Sequence, residues 1–187
     1  MDRRVKYTKK VIKDTFIDLL EKKDISKVTV SEICKIADVN RATFYRYYLD
    51  VFDLLEKMEE EFVEDVKAAY GKGDSDSQSL LYYATSLLDM CYRNQKLAKI
   101  LFTSTGKPYF LNSILEECYN RCKIRWIRAV PDIDEEDIEY ASVFIFNGAL
   151  GVVNYWIKCD FDKDVDEVAK IIQNLAHYGL EKYIYKR

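Results

Sequence analysis

A short stretch near the N-terminus concentrates side chains that could bind nucleic acid. Arginine can donate two hydrogen bonds to the edge of a guanine, and threonine and tyrosine hydroxyls can bond to phosphates without adding charge. A small residue among them would let the backbone approach the bases. The stretch supplies all of these residue types: Arg41, Ala42, Thr43, Tyr45, Arg46 and Tyr47. Together they predict a surface that reads double-stranded DNA in the major groove.

The spacing of two aromatic residues predicts a helix that has these two side chains on its inner face and the candidate DNA-reading side chains on its outer face. Phe44 and Tyr48 are four residues apart, so on a helix both point to the same side and can pack on a core. Asn40 is a favourable N-cap, and the pattern predicts a helix over 41–47. Spacing alone also allows a small helical bundle in which the tyrosines serve only in packing.

A second short helix is predicted directly before this one. Thr29 and Glu32 have the spacing of a capping box, in which the threonine hydroxyl and the glutamate carboxylate each accept a backbone hydrogen bond. Ile33 and Ile36 are expected to form the buried face of this helix. A break at 38–40 then separates the two helices, which is the arrangement of a helix-turn-helix.

Charge is unevenly distributed along the chain, although the formal net charge of the whole protein is only −3. Residues 1–50 contain 12 Lys and Arg against 8 Asp and Glu, whereas residues 51–187 contain 17 against 24. The basic segment indicates an anionic partner for the N-terminal part alone. Candidate phosphate contacts are Lys9 and Lys10 on the predicted first helix, and Thr29 at a helix N-terminus.

Residues 28–55, VTVSEICKIADVNRATFYRYYLDVFDLL, resemble the DNA-binding motif of the tetracycline-repressor (TetR) family of transcriptional regulators. That family has a threonine at the start of its second helix, then the pattern V-S-x-G-T-L-Y-x-Y-F before a capped fourth helix. The resemblance covers about residues 7–60. It implies that one group of residues contacts the DNA backbone or base edges. It implies that a second group adjusts the sequence preference. The first group is Thr29, Thr43, Tyr45 and Tyr47, and the second is Arg41, Ala42 and Arg46.

The motif departs from the family pattern at three positions. Ala42 replaces the usual glycine and Arg46 replaces a frequent histidine, and both changes are conservative for docking on DNA. Val51 stands where a lysine at the start of the fourth helix commonly meets a phosphate, so one ionic contact is lost. We expect Lys9, Lys10 and an N-terminal arm to replace it, the arm consisting of Arg3, Arg4 and Lys6.

The whole chain is predicted to be helical, because 6 Gly and 2 Pro in 187 residues are too few for a loop-rich β-sandwich. Asp50 is expected to cap a fourth helix, and 71–79 is expected to be a loop. Further helices are predicted over 80–94, 95–103, 108–130, 134–159 and 164–185. The predicted architecture is all-α, with an N-terminal three-helix DNA-binding domain over 1–49 that contains the helix-turn-helix. A C-terminal helical ligand-binding and dimerisation domain is predicted over 50–187.

The last two helices are expected to pair with a second copy of the chain. The family resemblance implies that they form a four-helix interface in a homodimer. Independently, Gly148 and Gly151 lie in a charge-free helix, where each costs about 1 kcal/mol relative to alanine and close helix approach could compensate. The candidate interface residues are Gly148, Gly151, Val152, Tyr155, Val168, Ile172 and Leu175.

A large supply of aromatic residues between the fourth and eighth helices indicates a site for a small-molecule effector, although aromatic stripes commonly form a core. Tyrosine hydroxyls and arginines within an apolar pocket would suit a small aromatic or amphipathic ligand. The candidate pocket residues are Tyr82, Tyr83, Tyr92, Phe102, Tyr109, Phe110, Tyr119, Arg121, Arg125 and Trp126.

The composition disfavours enzymatic and metal-binding functions. His177 is the only histidine, so a histidine-rich metal site or a Ser-His-Asp triad is poorly supplied. The five cysteines lack CxxC spacing, as expected of reduced intracellular thiols. Cys118 and Cys122 are four residues apart and could form a redox or metal pair, but structural zinc requires four ligands. No catalytic site, metal or cofactor is expected.

The sequence favours a cytoplasmic protein. The basic N-terminal residues are not followed by the apolar segment of a signal peptide. Residues 140–157 carry no formal charge, but they are at the lower limit of a membrane-spanning length and contain Ser142, Asn147 and Asn154. We expect a helix buried by its own domain or by a partner subunit, and no contact with a membrane.

These features predict a homodimeric, ligand-responsive transcriptional regulator that binds a palindromic operator and acts as a repressor. One alternative is an activator of the same family. Residues 144–157 are similar to a subgroup typified by activators of dihydroxyacetone kinase operons, in which a glycine-rich helix ends in a tryptophan, as with Gly148, Gly151 and Trp156. A second alternative is a helical module that binds a ligand or a protein partner and carries a degenerate DNA-binding head.

Overall fold

The computed structural model describes the backbone of residues 3–71, 80–103, 108–129 and 134–184. Within these ranges every regular element is helical, which confirms the predicted all-α class. The elements are α1 (Arg3–Leu20), a 3₁₀ helix (Ile25–Lys27), α2 (Val30–Ile36), α3 (Arg41–Tyr45), α4 (Val51–Tyr70), α5 (Leu80–Arg93), α6 (Gln95–Thr103), α7 (Pro108–Ala129), α8 (Glu135–Lys158) and α9 (Val165–Ile184). The helices predicted from residue 80 onward agree with α5 to α9 to within about one residue at each end. Apart from Gly71, the predicted loop at 71–79 lies outside the described residues.

Backbone contacts divide the chain into two compact units, Met1–Phe62 and Val63–Arg187. The division falls inside α4, whereas the sequence suggested a boundary between residues 49 and 50. The first turns of α4 belong to the N-terminal unit because they supply it with buried apolar side chains. Those side chains are Val51, Leu54 and Met58, and the same unit buries Ile12, Phe16, Ile33 and Phe44.

The first helix, which was predicted to carry Lys9 and Lys10, begins as early as Arg3. No glycine or proline precedes Leu20, so nothing in the sequence stops the helix from extending beyond its buried stripe. Arg3, Arg4 and Lys6 therefore lie on α1, and the expectation of an N-terminal arm was wrong.

The capping box of α2 forms only in part. The Thr29 hydroxyl accepts a hydrogen bond from the Glu32 amide at 3.2 Å, as predicted. The Glu32 carboxylate instead forms an ion pair with Lys23, in the loop before the 3₁₀ helix. Ile36 is 59% exposed, so the predicted burial of this side chain was wrong, and Cys34 is buried beside Ile33 instead.

In the C-terminal unit α8 packs against α6, α7 and α9, and α5 packs against α9.

The corner between α8 and α9 has an unusual backbone, because Asp160 and Phe161 both adopt φ of 59°. Such left-handed conformations are costly for residues other than glycine and require support from packing. The Phe161 ring provides it by an edge contact to Trp156, with ring centroids 4.8 Å apart, and the Trp156 indole N–H donates to the Lys163 carbonyl at 2.8 Å.

All five cysteines lie within the described residues and are free thiols. Cys34, Cys91, Cys118 and Cys122 are buried, and Cys159 is half-buried. The Cys118 thiol donates to the hydroxyl of buried Tyr70 at 3.3 Å. Among the described residues, no three His, Cys, Asp or Glu side chains are placed to hold a metal ion.

Candidate nucleic-acid interface

The helix that carries the predicted DNA-reading side chains is capped as expected. The Asn40 side chain accepts a hydrogen bond from the Ala42 amide at 2.8 Å, and Asp38 in the preceding turn adopts φ of 51°. Phe44 is fully buried and Tyr48 almost so, which confirms the predicted inner face. The helix ends at Tyr45 rather than at residue 47, and the Arg46 amide bonds to the Ala42 carbonyl at its C-cap.

None of the nine predicted DNA-contacting residues is buried, so the structure leaves each of them available to a ligand. Tyr45 is 55% exposed at the end of α3. The exposed members are Thr29, Arg41, Ala42, Tyr45, Arg46 and Lys10, and the half-buried members are Thr43, Tyr47 and Lys9.

Two contacts bring predicted residues from different helices together. The Lys9 ammonium of α1 lies 5.4 Å from the centre of the Tyr47 ring, which is a cation–π distance. The Arg41 guanidinium at the start of α3 donates a hydrogen bond to the hydroxyl of Ser31 in α2. Side chains of α1, α2 and α3 thus form one basic, hydroxyl-rich surface. The sequence did not single out Ser31.

Val51, where the family pattern has lysine, is buried at the first turn of α4. It serves in packing and cannot meet a phosphate. The lysine that does lie beside the recognition helix is Lys57, whose ammonium donates to the Tyr47 carbonyl at 2.9 Å and to the Asp53 carboxylate at 2.8 Å. No sequence motif indicated this lysine, because its role depends on how the turn after α3 folds back on α4.

Tyr48 carries a polar group into an apolar environment. Its hydroxyl is buried and has no hydrogen-bond partner among the described residues. Burial raises the pKa of the Tyr48 phenol, and the nearby carboxylates of Glu61 and Asp53 add to the effect. The Phe44 ring lies against it, with centroids 5.4 Å apart.

A small apolar cavity of about 40 Å³ lies inside the C-terminal unit. Helices α4, α5, α7, α8 and α9 all contribute to its wall. The residues that line it include Tyr70, Tyr83, Leu87, Ile114, Cys118, Phe146 and Val153. Of the predicted pocket residues whose side chains are described, Tyr83 lines this cavity.

The other described candidates for the effector pocket lie elsewhere. Tyr92 is 47% exposed and stacks on Trp156, and it does not line this cavity. The Tyr82 hydroxyl donates to the Ala69 carbonyl, and the Tyr119 hydroxyl donates to the Glu139 carboxylate. Phe102 and Phe110 pack edge to face in the core. The side chains of Tyr109, Arg121, Arg125 and Trp126 lie outside the described residues.

Helices α8 and α9 leave one apolar face exposed. Phe144 and Tyr155 of α8 are 73% and 69% exposed, and Leu175 and Tyr178 of α9 are also exposed. A groove of about 440 Å³ between the two helices on this face is lined by Phe144, Gly148, Val152, Leu175, Tyr178 and Gly179, among others. We use the name α8–α9 face for the residues just named and Gly151: Phe144, Gly148, Gly151, Val152, Tyr155, Leu175, Tyr178 and Gly179.

Two of the seven predicted interface residues are not exposed on the α8–α9 face. Val168 and Ile172 are both buried in the chain's own core, although Ile172 also lines the floor of the groove. The remaining five predicted residues are exposed or half-buried. A Cβ added at Gly148 or Gly151 would meet nothing within 4 Å, so the packing of the single chain does not require glycine there.

The stretch Glu136–Lys158 of α8 is long and apolar enough to cross a bilayer by length and composition, with a mean hydropathy of 1.2. A single such helix is weak evidence for a membrane span, since core helices of other proteins pass the same test. One third of its apolar window is buried inside the chain. Its own domain therefore buries this helix only in part, and burial by a partner subunit, the other alternative, stays a prediction.

A TetR family model, described as a transcriptional regulator C-terminal region, matches residues 78–178. The chain belongs to the TetR family. The match covers more than half of the chain and all of α5 to α7, and it extends through α8 into α9.

Relatives and solved structures agree with this assignment to TetR. The uncharacterized HTH-type transcriptional regulator YxbF of Bacillus subtilis is 39% identical over 59 residues, which is 31% of this chain and only 16% of YxbF. A TetR regulator from Streptococcus agalactiae superimposes with a TM-score of 0.66 at 25% identity, covering 94% of this chain and 96% of that one. The dihydroxyacetone kinase operon activator DhaS gives a TM-score of 0.71 at 17% identity, covering 95% and 98%.

A further structural neighbour within TetR was solved with a bound ligand. FadR from Bacillus subtilis, in complex with stearoyl-CoA, gives a TM-score of 0.68 at 20% identity, covering 90% of this chain and 97% of FadR. At this identity the likeness concerns the fold. The chain thus has the all-α fold of a TetR transcriptional regulator, with a helix-turn-helix over α2 and α3.

Proposed function

We propose that this protein is a cytoplasmic, homodimeric TetR repressor that binds a palindromic operator and responds to a small apolar effector. The observation that carries the proposal is that none of the nine predicted DNA-contacting residues, which lie on or next to α1, α2 and α3, is buried. In the proposed complex α3 enters the major groove, where Arg41 and Arg46 reach base edges. The tyrosine and threonine hydroxyls and Lys9 and Lys10 bind phosphates on either side.

Selection of binding sites from random DNA tests the DNA-binding part of the proposal. We expect an inverted repeat whose half-sites place two recognition helices in successive major grooves, about 34 Å apart or a modest multiple of that distance. Affinity for the selected site should fall steeply with salt, with a log–log slope near −0.9 for each phosphate neutralised. An unenriched pool, or binding that does not change with salt, would contradict the proposal.

The α8–α9 face supports a homodimer. Exposed aromatic side chains around an open apolar groove mark an interaction site, because single soluble chains seldom expose large contiguous apolar patches. Two helices per protomer would pair as four helices across a two-fold axis. Gly148 and Gly151, which the single chain does not need, would allow close approach of the partner helix. Light scattering of the purified protein should give twice the mass of one chain.

The lining of the cavity in the C-terminal unit favours an effector whose buried part is apolar and uncharged. Its described wall contains tyrosine, cysteine and aliphatic side chains, with no charged residue to compensate a buried ion. Since the cavity holds only about 40 Å³, a larger effector must widen it. A thermal-shift series of small uncharged apolar and aromatic compounds should raise the unfolding temperature, whereas their charged hydrophilic analogues should not.

The direction of regulation is tested with a transcription template that carries the selected operator. A repressor that overlaps the polymerase site should reduce the transcript in proportion to operator occupancy. An increase of transcript at the same occupancy would instead make this protein an activator, as DhaS is by name.

A further inference from the structure

The turn between α3 and α4 is held by a pair of charged side chains on α4. The Lys57 ammonium donates to the Tyr47 carbonyl at 2.9 Å, directly after the recognition helix. The same ammonium donates to the Asp53 carboxylate at 2.8 Å, and that carboxylate oxygen accepts a hydrogen bond from the Leu49 amide at 2.8 Å. Lys57 thus bonds to the Tyr47 carbonyl and Asp53 to the Leu49 amide, so both side chains hold the backbone of the turn. We call this arrangement the α3–α4 clasp.

The clasp lies against the buried core of the N-terminal unit. The Lys57 ammonium is 5.6 Å from the centre of the Tyr48 ring, and Tyr48 is 2% exposed. The Asp53 side chain is 19% exposed and the Lys57 side chain is 41% exposed. The hydrogen bond from Lys57 holds the pKa of the Asp53 carboxyl below its ordinary range. Hydrogen bonds between ionised groups are about twice as strong as neutral ones.

The position of the clasp bears directly on the recognition helix. α3 has only five residues, too few to hold its direction by helix propensity. Its N-terminal end is fixed by the Asn40 cap. Its C-terminal continuation is fixed by the bond between Tyr47 and Lys57, because Tyr47 is two residues beyond the end of the helix. Loss of that bond would free the angle at which α3 meets the groove.

We propose that Lys57 and Asp53 are positioning residues for DNA binding, which set the orientation of α3 through the α3–α4 clasp without touching a phosphate. This inference rests on the proposed binding of DNA by α3. Two of the three Lys57 ammonium protons are used inside the protein, which leaves the lysine poorly placed to neutralise a phosphate as well. The role of this lysine is therefore geometric.

The test compares Lys57→Met, Lys57→Arg and Asp53→Asn with the wild type on the selected operator, across a salt series and well below the unfolding temperature. Methionine keeps the apolar stem of lysine but removes the donors. We expect Lys57→Met to weaken binding on the order of tenfold, equally for all sequences and with an unchanged salt slope. Asp53→Asn should weaken binding similarly, and Lys57→Arg should retain most of the affinity.

Two controls separate this role from others. Lys67→Met removes the Lys67–Glu64 pair, an exposed ion pair on the same helix, and should leave DNA affinity unchanged. The double variant Lys57→Met/Asp53→Asn should bind no more weakly than either single variant, because both break one clasp. Circular dichroism shows whether each variant is folded, and Asp53→Asn provides a second route if Lys57→Met is not.

The other outcomes are distinct. A salt slope that becomes shallower by about 0.9 in Lys57→Met would overturn the proposal and assign Lys57 to a phosphate. Unchanged affinity in both single variants, with tight binding by the wild type, would show that the clasp does not position α3. A wild type that binds no DNA would overturn the clasp together with the proposed function.

Discussion

The Arg41 guanidinium is hydrogen-bonded to the Ser31 hydroxyl, so the first residue of α3 is tied back to the first turn of α2. An arginine has five N–H donors in a planar fork, and this bond uses one of them. The others can still bind a guanine edge or a phosphate. Because the bond restricts the side chain before DNA arrives, part of the entropy cost of fixing a long arginine is already met in the free protein.

Alanine at either recognition arginine should relax sequence preference at one base position. Arg41→Ala and Arg46→Ala are each expected to cost about 1–3 kcal/mol on the preferred operator and less on sites substituted at that base pair. Tyr45→Phe should weaken all sequences alike, since its hydroxyl is assigned to a phosphate. Repeating the random-DNA selection with each variant measures this. If Tyr45→Phe changes the consensus and the arginine variants do not, the assigned roles are reversed.

Leucine at Gly148 or Gly151 should disrupt the dimer while leaving the folded chain intact. A Cβ at either position meets nothing within 4 Å, so the added side chain does not collide with the chain's own core. The same side chain would separate closely packed partner helices. Light scattering should show monomer, and operator binding should be lost. Lys170→Leu, which adds the same side chain at an exposed position of α9 outside the groove, is the matched control.

An unchanged dimer in both glycine variants would place the interface elsewhere. Aggregation of Lys170→Leu along with them would show that any exposed leucine on these helices is harmful, and the glycine result would then carry no information about the interface.

Local signals predicted the recognition element well, because they act within a few residues. The Asn40 and Thr29 caps and the buried pair Phe44 and Tyr48 follow from short-range spacing, and the structure confirms each one. The exposure of Ile36 could not be predicted in this way, since a helix of seven residues has too few apolar positions to define one face.

Long-range packing explains what the sequence could not predict in the C-terminal unit. Tyr92 has the residue type of a pocket, but its ring is placed by Trp156 and Phe161, which are more than 60 residues away in the chain. In the N-terminal unit the role of Lys57 was missed for another reason: it bonds to a backbone carbonyl, and no residue type marks such a partner in the sequence. Helix boundaries beyond residue 80 were predictable because glycine, proline and capping residues mark them locally.

Removal of the buried Tyr48 hydroxyl should not destabilise the protein. The hydroxyl has no hydrogen-bond partner among the described residues, and an unsatisfied buried polar group costs about 1–3 kcal/mol. Tyr48→Phe keeps the ring, so the free energy of unfolding should stay unchanged or rise by up to about that amount. Denaturant unfolding measures it. A loss of more than about 1 kcal/mol would mean that the hydroxyl is bonded in solution.

Stability should fall in alkaline solution, with Cys91 as one cause. Burial raises the pKa of the Cys91 thiol to about 12 from an ordinary value of 9.0. Between these values the folded state keeps a proton that the unfolded state releases, so this stabilisation is complete below pH 9 and decreases as pH rises toward 12. The contribution to the slope is at most about 1.4 kcal/mol per pH unit.

Cys91→Ala isolates that contribution. The variant should lose stability less steeply with pH than the wild type in denaturant titrations above pH 9, whatever its stability at neutral pH. Equal slopes for the two proteins would show that Cys91 does not titrate in this range. Buried Tyr70, whose pKa is also raised by burial, should account for part of the slope that remains.

Effector and operator should influence each other's binding through α4. This helix carries the α3–α4 clasp on its first turns and Tyr70, which lines the cavity, at its end. An effector that weakens operator binding by some factor must itself bind more weakly, by the same factor, when operator is present. Calorimetric titration of an effector with and without operator measures both. Equal effector affinities in the two titrations would show that cavity and recognition helix are uncoupled.

The burial pattern of the five thiols gives the protein a natural attachment point for a spectroscopic label. Thiol reactivity requires access to reagent, and only Cys159 is not buried, at the end of α8 beside the left-handed corner. A maleimide dye should therefore attach there without prior mutation of the other four cysteines. Tyr155 of the α8–α9 face is one helical turn away, so the emission of that dye would report the arrival of a second protomer in real time.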